Sequence, residues 1–278
     1  MKISVIFTTY NSPDWLEKVL WGFHYQSYSE FEIIVADDGS GNDTRQRINQ
    51  MRLTTGREII HVWQPDEGFQ KTRILNKAIQ ASSGDYLLFT DGDCIPRHDF
   101  VEVHVKQAQK GYFLSGGYFK LPMNISLAID KHAISSGVVF EPDWLLERGL
   151  KKSHKLMKLT ATGWQQQWLN RLTPANASWN GHNASGWRSD IIAANGFDER
   201  MQYGGEDREL GERLFNAGLQ SKQIRYSAIC LHLDHARSYV TPEMLRYNRE
   251  IRQYTRQQHL THTPFGIEQD QLHFRHAG

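Results

Sequence analysis

The sequence predicts one large α/β domain, built on a mixed, mostly parallel sheet flanked by helices. Three observations lead there. Apolar runs of strand length alternate with segments of helical period from residue 3 to residue 91. Two of those runs end abruptly on acidic turns, Asp37-Asp38-Gly39-Ser40 and Asp91-Gly92-Asp93. The runs are continuously apolar rather than alternating, as expected of parallel strands buried on both faces.

Ile3 to Thr9 reads as the first strand. Ser12 then offers an N-cap and Pro13 an N1 residue for a helix whose inner face is Trp15, Leu16, Val19, Leu20 and Phe23. Glu32 to Ala36 is the second strand and Ile59 to Trp63 the third. A helix follows over Thr72 to Ala81, with Ile74, Leu75, Ala78 and Ile79 inward. The fourth strand starts at Tyr86 and stops on Asp91 and Asp93, with Gly92 allowing a tight turn between them. Asp-Gly-Asp is ordinary turn chemistry. It is also two hard oxygen donors at a strand's carboxyl end, where Mg²⁺ or Mn²⁺ binds together with substrate phosphates.

Past residue 110 the pattern weakens. Tyr112 to Lys120 reads as a strand pair broken at Gly116-Gly117. The stretch 150–172 is basic and amphipathic, either a solvated helical insertion over the sheet or a surface that leans on an anionic membrane. Leu210, Leu214 and Phe215 mark the inner face of a helix closed by Gly218. Glu206 and Asp207 fall in its first turn, after the flexible Gly204-Gly205. The run Cys230-Leu231-His232-Leu233-Asp234-His235 ends on two imidazoles. From Pro242 a polar helix runs to about His259, then a tail.

The 278 residues carry a formal charge of +1, which argues against a general nucleic-acid binder. Two cysteines, Cys94 and Cys230, imply no disulfide framework and fit a reducing compartment. No apolar run approaches the length of a membrane span, and no charged leader precedes the first strand. A cytoplasmic protein is expected, peripheral at most at the inner face of the membrane. The sequons at Asn124, Asn176 and Asn183 are then incidental.

Taken in order, Ser4 to Asn11, Val35-Ala36-Asp37-Asp38-Gly39-Ser40, Thr90-Asp91-Gly92-Asp93, Asn183-Ala184-Ser185, Asn195-Gly196-Phe197-Asp198-Glu199 and Gly204-Gly205-Glu206-Asp207 resemble the inverting glycosyltransferases of family 2. That family has the GT-A fold, which is Rossmann-like and binds nucleotide sugars. The C-terminal motifs resemble its galactosyltransferase and chondroitin-polymerase branch.

The resemblance implies a hexose or N-acetylhexosamine moved from a nucleotide sugar, with a UDP-sugar favoured, to a saccharide or lipid-linked acceptor in bacterial surface polysaccharide or lipopolysaccharide synthesis. It makes Asp93 a metal ligand and gives Asp91 the ribose or the metal's water shell. His232 is the later metal ligand, His235 the alternative, and a nitrogen ligand tilts preference toward Mn²⁺ over Mg²⁺. Thr8, Tyr10 and Asp38, with Asp37 beside them, grip the nucleoside, and Arg73 reaches the base. Asp207 is the catalytic base, with its pKa expected to be lowered by the helix N-terminus, and Glu206 binds sugar hydroxyls. Asn183, Trp187 and Tyr203 fall on the acceptor side, with Trp187 and Trp179 suited equally to a pyranose platform or to core packing.

Residues 1–110 are thus expected to be the nucleotide-sugar half, 111–240 the acceptor half with an insertion at 120–180, and 241–278 a C-terminal helix and tail. Two other readings compete. A sugar-phosphate nucleotidyltransferase needs a Gly-rich basic loop after the first strand, and Tyr10-Asn11-Ser12-Pro13 is not one. A non-catalytic sugar-nucleotide or carbohydrate-binding module has no need of Asp93, Asp207 and His232 together.

Overall fold

Ten strands and twelve helices form the described part of the chain, residues 1–172, 177–236 and 240–268 of a computed structural model. The sequon at Asn176 and the tail from residue 269 lie outside the described residues. The strands are β1 (Ile3–Thr9), β2 (Phe31–Asp37), β3 (Ile59–Trp63), β4 (Tyr86–Asp91), β5 (Cys94–Pro96), β6 (Tyr112–Ser115), β7 (Gly117–Lys120), β8 (Ala184–Trp187), β9 (Gln220–Gln223) and β10 (Ile229–His232). The first four α-helices are α1 (Pro13–His24), α2 (Asn42–Thr55), α3 (Lys71–Ala81) and α4 (Phe100–Gln107). Next come α5 (Met123–Ala128), α6 (Lys131–Ser135), α7 (Pro142–Glu147), α8 (Met157–Thr160), α9 (Gly163–Leu172) and α10 (Arg188–Ala193). The last two are α11 (Glu206–Asn216) and α12 (Pro242–Gln257).

The main sheet runs β3-β2-β1-β4-β8-β6-β9, parallel through β4, with β8 antiparallel to both β4 and β6. A second sheet runs β5-β10-β7. Alternation along β1 divides the core between the two faces of the main sheet. Val5 and Phe7 join a cluster with α1, α2 and α4, while Ile6 joins one with Leu75 and Ile79 of α3 and Leu210 and Leu214 of α11. Phe215, expected inward on α11, is instead 41% exposed, its ring edge against Phe113.

The strands and helices of the first ninety residues lie where the pattern predicts, with one omission. α2 buries only Thr44, Ile48 and Met51, so its apolar stripe is too thin to read against a polar surround. Its stop signal is plain afterwards: Gly56 closes it at φ +66.

Tyr112 to Lys120 forms the two strands expected, broken at Gly116, but they do not pair with each other. β6 pairs with β8 and β9 in the main sheet, whereas β7 pairs with β10 in the small one. The chain changes sheets at Gly116-Gly117, where a Cβ would fall 2.0 Å from Asn183 Oδ1 or 2.4 Å from the Arg225 carbonyl. The expected insertion at 120–180 is in part core. Ile125, Ile129, Ile134, Val139, Leu145 and Leu159 complete the core on the α1 face, and only 150–172 is largely exposed.

A buried ion pair fixes α11 in place. Arg213 and Glu209 are each at most 1% exposed and meet at 2.7 Å, one helical turn apart. Arg213 also donates to the carbonyls of Ala194 and Gly196, and Glu209 accepts from Thr255 of α12 at 2.8 Å. Arg213→Met should therefore lower the unfolding free energy by about 3–5 kcal/mol, because Glu209 is left charged without its partner. Urea denaturation of the variant against the parent measures this.

Candidate active site

The site begins with strand register. β1, β2 and β4 are parallel, with Thr9 opposite Asp37 and Thr8 opposite Asp91, so their carboxyl ends share one sheet edge. The turn after β4 is pinned there by Gly92, whose N–H donates to the Thr8 carbonyl at 2.8 Å. A Cβ at Gly92 would fall 2.5 Å from that same oxygen, so no side chain fits. Asp93 then leads into β5, which pairs antiparallel with β10 and sets Cys94 opposite His232. The Leu233 N–H donates to the Asp93 carbonyl at 2.9 Å, and residues 140 positions apart in sequence become neighbours.

Both candidate imidazoles face the Asp93 carboxylate. His235 Nε2 lies 3.0 Å and His232 Nε2 3.9 Å from Asp93 Oδ2, and the two rings stack at 5.6 Å. Each Nδ1 lies within 2.9 Å of a backbone carbonyl, Leu233 for His232 and Ala236 for His235. Those bonds orient the rings through Nδ1 and aim both Nε2 atoms at Asp93, the arrangement by which metal-binding histidines are oriented. One carboxylate and two imidazole nitrogens fit a divalent cation of the Mn²⁺ type. Cys94 is also within reach, but its buried thiol donates to Asp93 Oδ1 at 3.5 Å, and burial and the adjacent Cys230 push it well above its ordinary pKa.

Beside this cluster, Asp91 is held by Thr8 Oγ1 at 3.2 Å and Lys71 Nζ at 2.9 Å. Burial alone would raise its pKa, but the Lys71 ammonium wins and holds the carboxyl far below the usual range. Asp38 accepts from Gln64 Nε2 and the Gln70 N–H, and burial still pushes it up to about 6. Tyr10 stands at the rim, its hydroxyl donating to Asp66 at 2.8 Å.

Two expectations on this side are corrected. Asp37 is fully buried and spent on the fold, accepting from the Ser40 N–H and facing His61 Nε2 at 2.8 Å. Arg73 points away and pairs with Glu67 outside the cleft. The cation that enters is Lys71, two residues earlier, at the first position of α3. Residues 71 and 73 lie on different sides of a helix, so the seating of α3 on the sheet brings one of them to the cleft and turns the other away.

Glu206 and Asp207 open α11 after Gly204 and Gly205, at φ +111 and +95. Glu206 turns back to accept from the Gly204 N–H at 2.8 Å. Asp207 packs against Gly181, where any Cβ would lie 2.7 Å from its Oδ2. Its Oδ1 is buried and has no hydrogen-bond partner. Contrary to the helix-dipole expectation, the Asp207 pKa is pushed up to about 7, by burial first and by the Glu206 charge second, with Lys71 opposing. A helix end is worth about 0.3–1 kcal/mol, less than the several kcal/mol that burying a carboxylate costs.

The expected acceptor residues separate. Tyr203 lines the cleft, edge to face with Phe69 at 5.9 Å. Asn183 does not: it is fully buried, donating to the Gly117 and Ala228 carbonyls and meeting His104 Nε2 at 2.9 Å. Trp187 pairs with Tyr86 at the opposite end of β4, roughly 16 Å from Asp91 at strand rise. There its Nε1 donates to the Gln109 carbonyl and Lys110 covers its ring. Trp179 is core, against Phe89 and Phe113.

The cleft so formed is about 740 Å³, with His182, Tyr118, Lys120 and Trp15 completing its walls. None of those four lies in a motif, and the one local signal His182 has is its place next to Gly181. Burial pushes its imidazole down to about 4, against the pull of Asp91.

Known proteins place this geometry. Among relatives, the chain is 25% identical over 281 residues to the uncharacterized glycosyltransferase YfnE of Bacillus subtilis, covering 89% of this chain and 69% of YfnE. It is 26% identical over 253 residues to the hyaluronan synthase of Pasteurella multocida, covering 80% of this chain but only 24% of the synthase. Two solved structures share its fold, each matched over less than two thirds of its own length. One is the Pyrobaculum calidifontis mannosyltransferase PcManGT in complex with GDP-Man and Mn²⁺, with a TM-score of 0.57 at 19% identity over 85% of this chain and 58% of that one. The other is S. aureus TarS 1-349 with UDP-GlcNAc, with a TM-score of 0.60 at 16% identity over 90% and 64%. The fold is therefore GT-A, the chain is a transferase. The model of glycosyl transferase family 2 matches residues 4–162, more than half the chain, and the protein belongs to that family.

Proposed function

We propose that this protein is an inverting, divalent-metal-dependent glycosyltransferase that uses a nucleotide sugar, with UDP-sugars favoured, and that Asp207 is its base. The observation that carries this reading is the Asp207 carboxylate, buried in the cleft with one oxygen free of partners and its pKa near neutrality. A general base works best with its pKa near the operating pH.

In this reading Asp207 takes the proton of the acceptor hydroxyl as that oxygen attacks the anomeric carbon. The bond from that carbon to the diphosphate breaks on the opposite face, and the nucleoside diphosphate leaves. Developing positive charge on the sugar ring is stabilised by the carboxylates of Asp207 and Glu206. Asp93, His232 and His235 would hold the cation, which when bound neutralises charge on the departing diphosphate. Lys71 keeps Asp91 ionised to receive the ribose, and Asp38 with Tyr10 and Thr8 lines the nucleoside end. The Phe69–Tyr203 pair offers an apolar wall to a sugar face.

The UDP-GlcNAc and GDP-Man complexes among the neighbours support a nucleotide-sugar donor. A hexose or N-acetylhexosamine added to a surface polysaccharide or lipopolysaccharide precursor is the favoured product. A saccharide or lipid-linked saccharide is the favoured acceptor, met at the cytoplasmic membrane face with contact through 150–172. Among the described residues no helix is long and apolar enough to cross a membrane.

Asp207→Asn should lower kcat by roughly 10²–10⁴ while UDP binding, read by thermal shift, is retained. For the parent, log kcat/KM should fall with slope one below about pH 7, because only the ionised carboxylate accepts the proton. Lys71→Met should move that acid limb up by about one pH unit, since the ammonium that opposes the rise is gone. Mn²⁺ should stabilise the protein in thermal unfolding, and chelation should reverse the effect. His232→Ala/His235→Ala should weaken Mn²⁺ binding by roughly tenfold or more, measured by calorimetry, and unchanged binding would remove both from the metal site.

A further inference from the structure

The chain carries no Asp or Glu between Glu147 and Asp190, a stretch that holds Lys151, Lys152, Lys155, Lys158, Arg171 and Arg188. Within it lies α9, which buries none of its residues. Trp164, Trp168 and Leu172 recur at every fourth position, so they form one stripe, and they are 70%, 59% and 67% exposed. Lys151, Lys152 and Lys155 are exposed just before the helix, and Arg171 is exposed in its last turn.

The polarity of this helix is the reverse of a globular one. A polar residue holds it to the body: Asn170 donates to Ser227 Oγ and accepts from the Tyr226 N–H. The apolar stripe is what faces water. Two indoles and a leucine in a row on a surface mark a binding face rather than scattered exposure. Indoles favour the boundary between headgroups and acyl chains, and each nearby lysine adds attraction to anionic headgroups. Basic residues on both sides of an apolar stripe, with no acidic residue between Glu147 and Asp190, are complementary to an anionic bilayer in both respects. The segment leading into this face adjoins the cleft, since Lys158 Nζ on α8 donates to the carbonyl of Tyr118, a cleft-wall residue.

We propose that α9, with Trp164 and Trp168 as anchors and Lys151, Lys152 and Lys155 as the charged collar, is the element by which this protein rests on an anionic membrane, with the cleft mouth beside the lipid surface. The role of that docking, bringing the cleft to a lipid-linked acceptor, rests on the function proposed above; the docking itself does not.

The test is co-sedimentation of the full chain with phosphatidylglycerol-containing vesicles and with phosphatidylcholine vesicles at low salt. The parent should pellet with the anionic vesicles, and less so at about 0.5 M salt. Trp164→Ser/Trp168→Ser should weaken binding roughly tenfold or more. Lys151→Gln/Lys152→Gln/Lys155→Gln should weaken it on the order of a hundredfold. All five positions are exposed, so thermal unfolding should be unchanged. Donor hydrolysis without acceptor should also be unchanged, which separates failure of docking from failure of the catalytic reading. The proposal is overturned if the parent does not pellet at low salt, if the variants pellet equally, or if the stripe instead joins two copies in a dimer that the tryptophan variants dissociate.

Discussion

Three carboxylates, Asp91, Glu206 and Asp207, share the field of one buried ammonium, Lys71. Like charges crowded into a low-dielectric cleft do not all stay ionised without compensation. Lys71 settles the matter unequally. It bonds Asp91 directly and keeps it charged, but only moderates Asp207, which stays near neutrality. One cation thus divides the cleft into a permanently anionic side at the strand end and a proton-accepting side at the helix start. The two sides arrive on different elements, β4 and α11, so the division depends on how those elements are held.

What holds them is a second set of buried polar contacts. Arg213 and Glu209 tie α11 to the 194–196 loop and to α12. Asn183 and His104 tie the start of β8 to the carbonyls of Gly117 and Ala228, where the chain changes sheets. Burial pushes His104 down to about 4, so it sits neutral among neutral partners. Asn183 and Asp207 sit in equally recognisable motifs, yet one is spent on the scaffold and the other on the cleft. A motif marks where a residue type is required, not which requirement it meets.

The cation cluster follows from pairing between the sheets. Asp93 leaves the main sheet and enters β5, and β5 meets β10 in the small sheet. The question of which histidine faces Asp93 dissolves in the geometry, because both do, each oriented through Nδ1 by a backbone carbonyl.

By itself, the sequence determined the order of strands and helices through residue 91, since long apolar runs and helical periods are local signals that burial on two faces imposes. It also determined the acidic turns and the Gly-Gly-Glu-Asp helix start, because turn geometry and helix entry demand particular residue types. Only the tertiary structure decided which of these face the cleft. Arg73 and Lys71 are two positions apart, and the sheet beneath α3 selects Lys71. Trp187 and Asp91 belong to paired strands, and antiparallel register sends them to opposite edges. The proton affinity of Asp207 was beyond local reading too, because burial against Gly181 sets it first, and Lys71 and Asp91 from distant segments act on it beside its helix neighbour Glu206. Periodicity sees one element at a time; a site is made by several, and its energetics belong to the space between them.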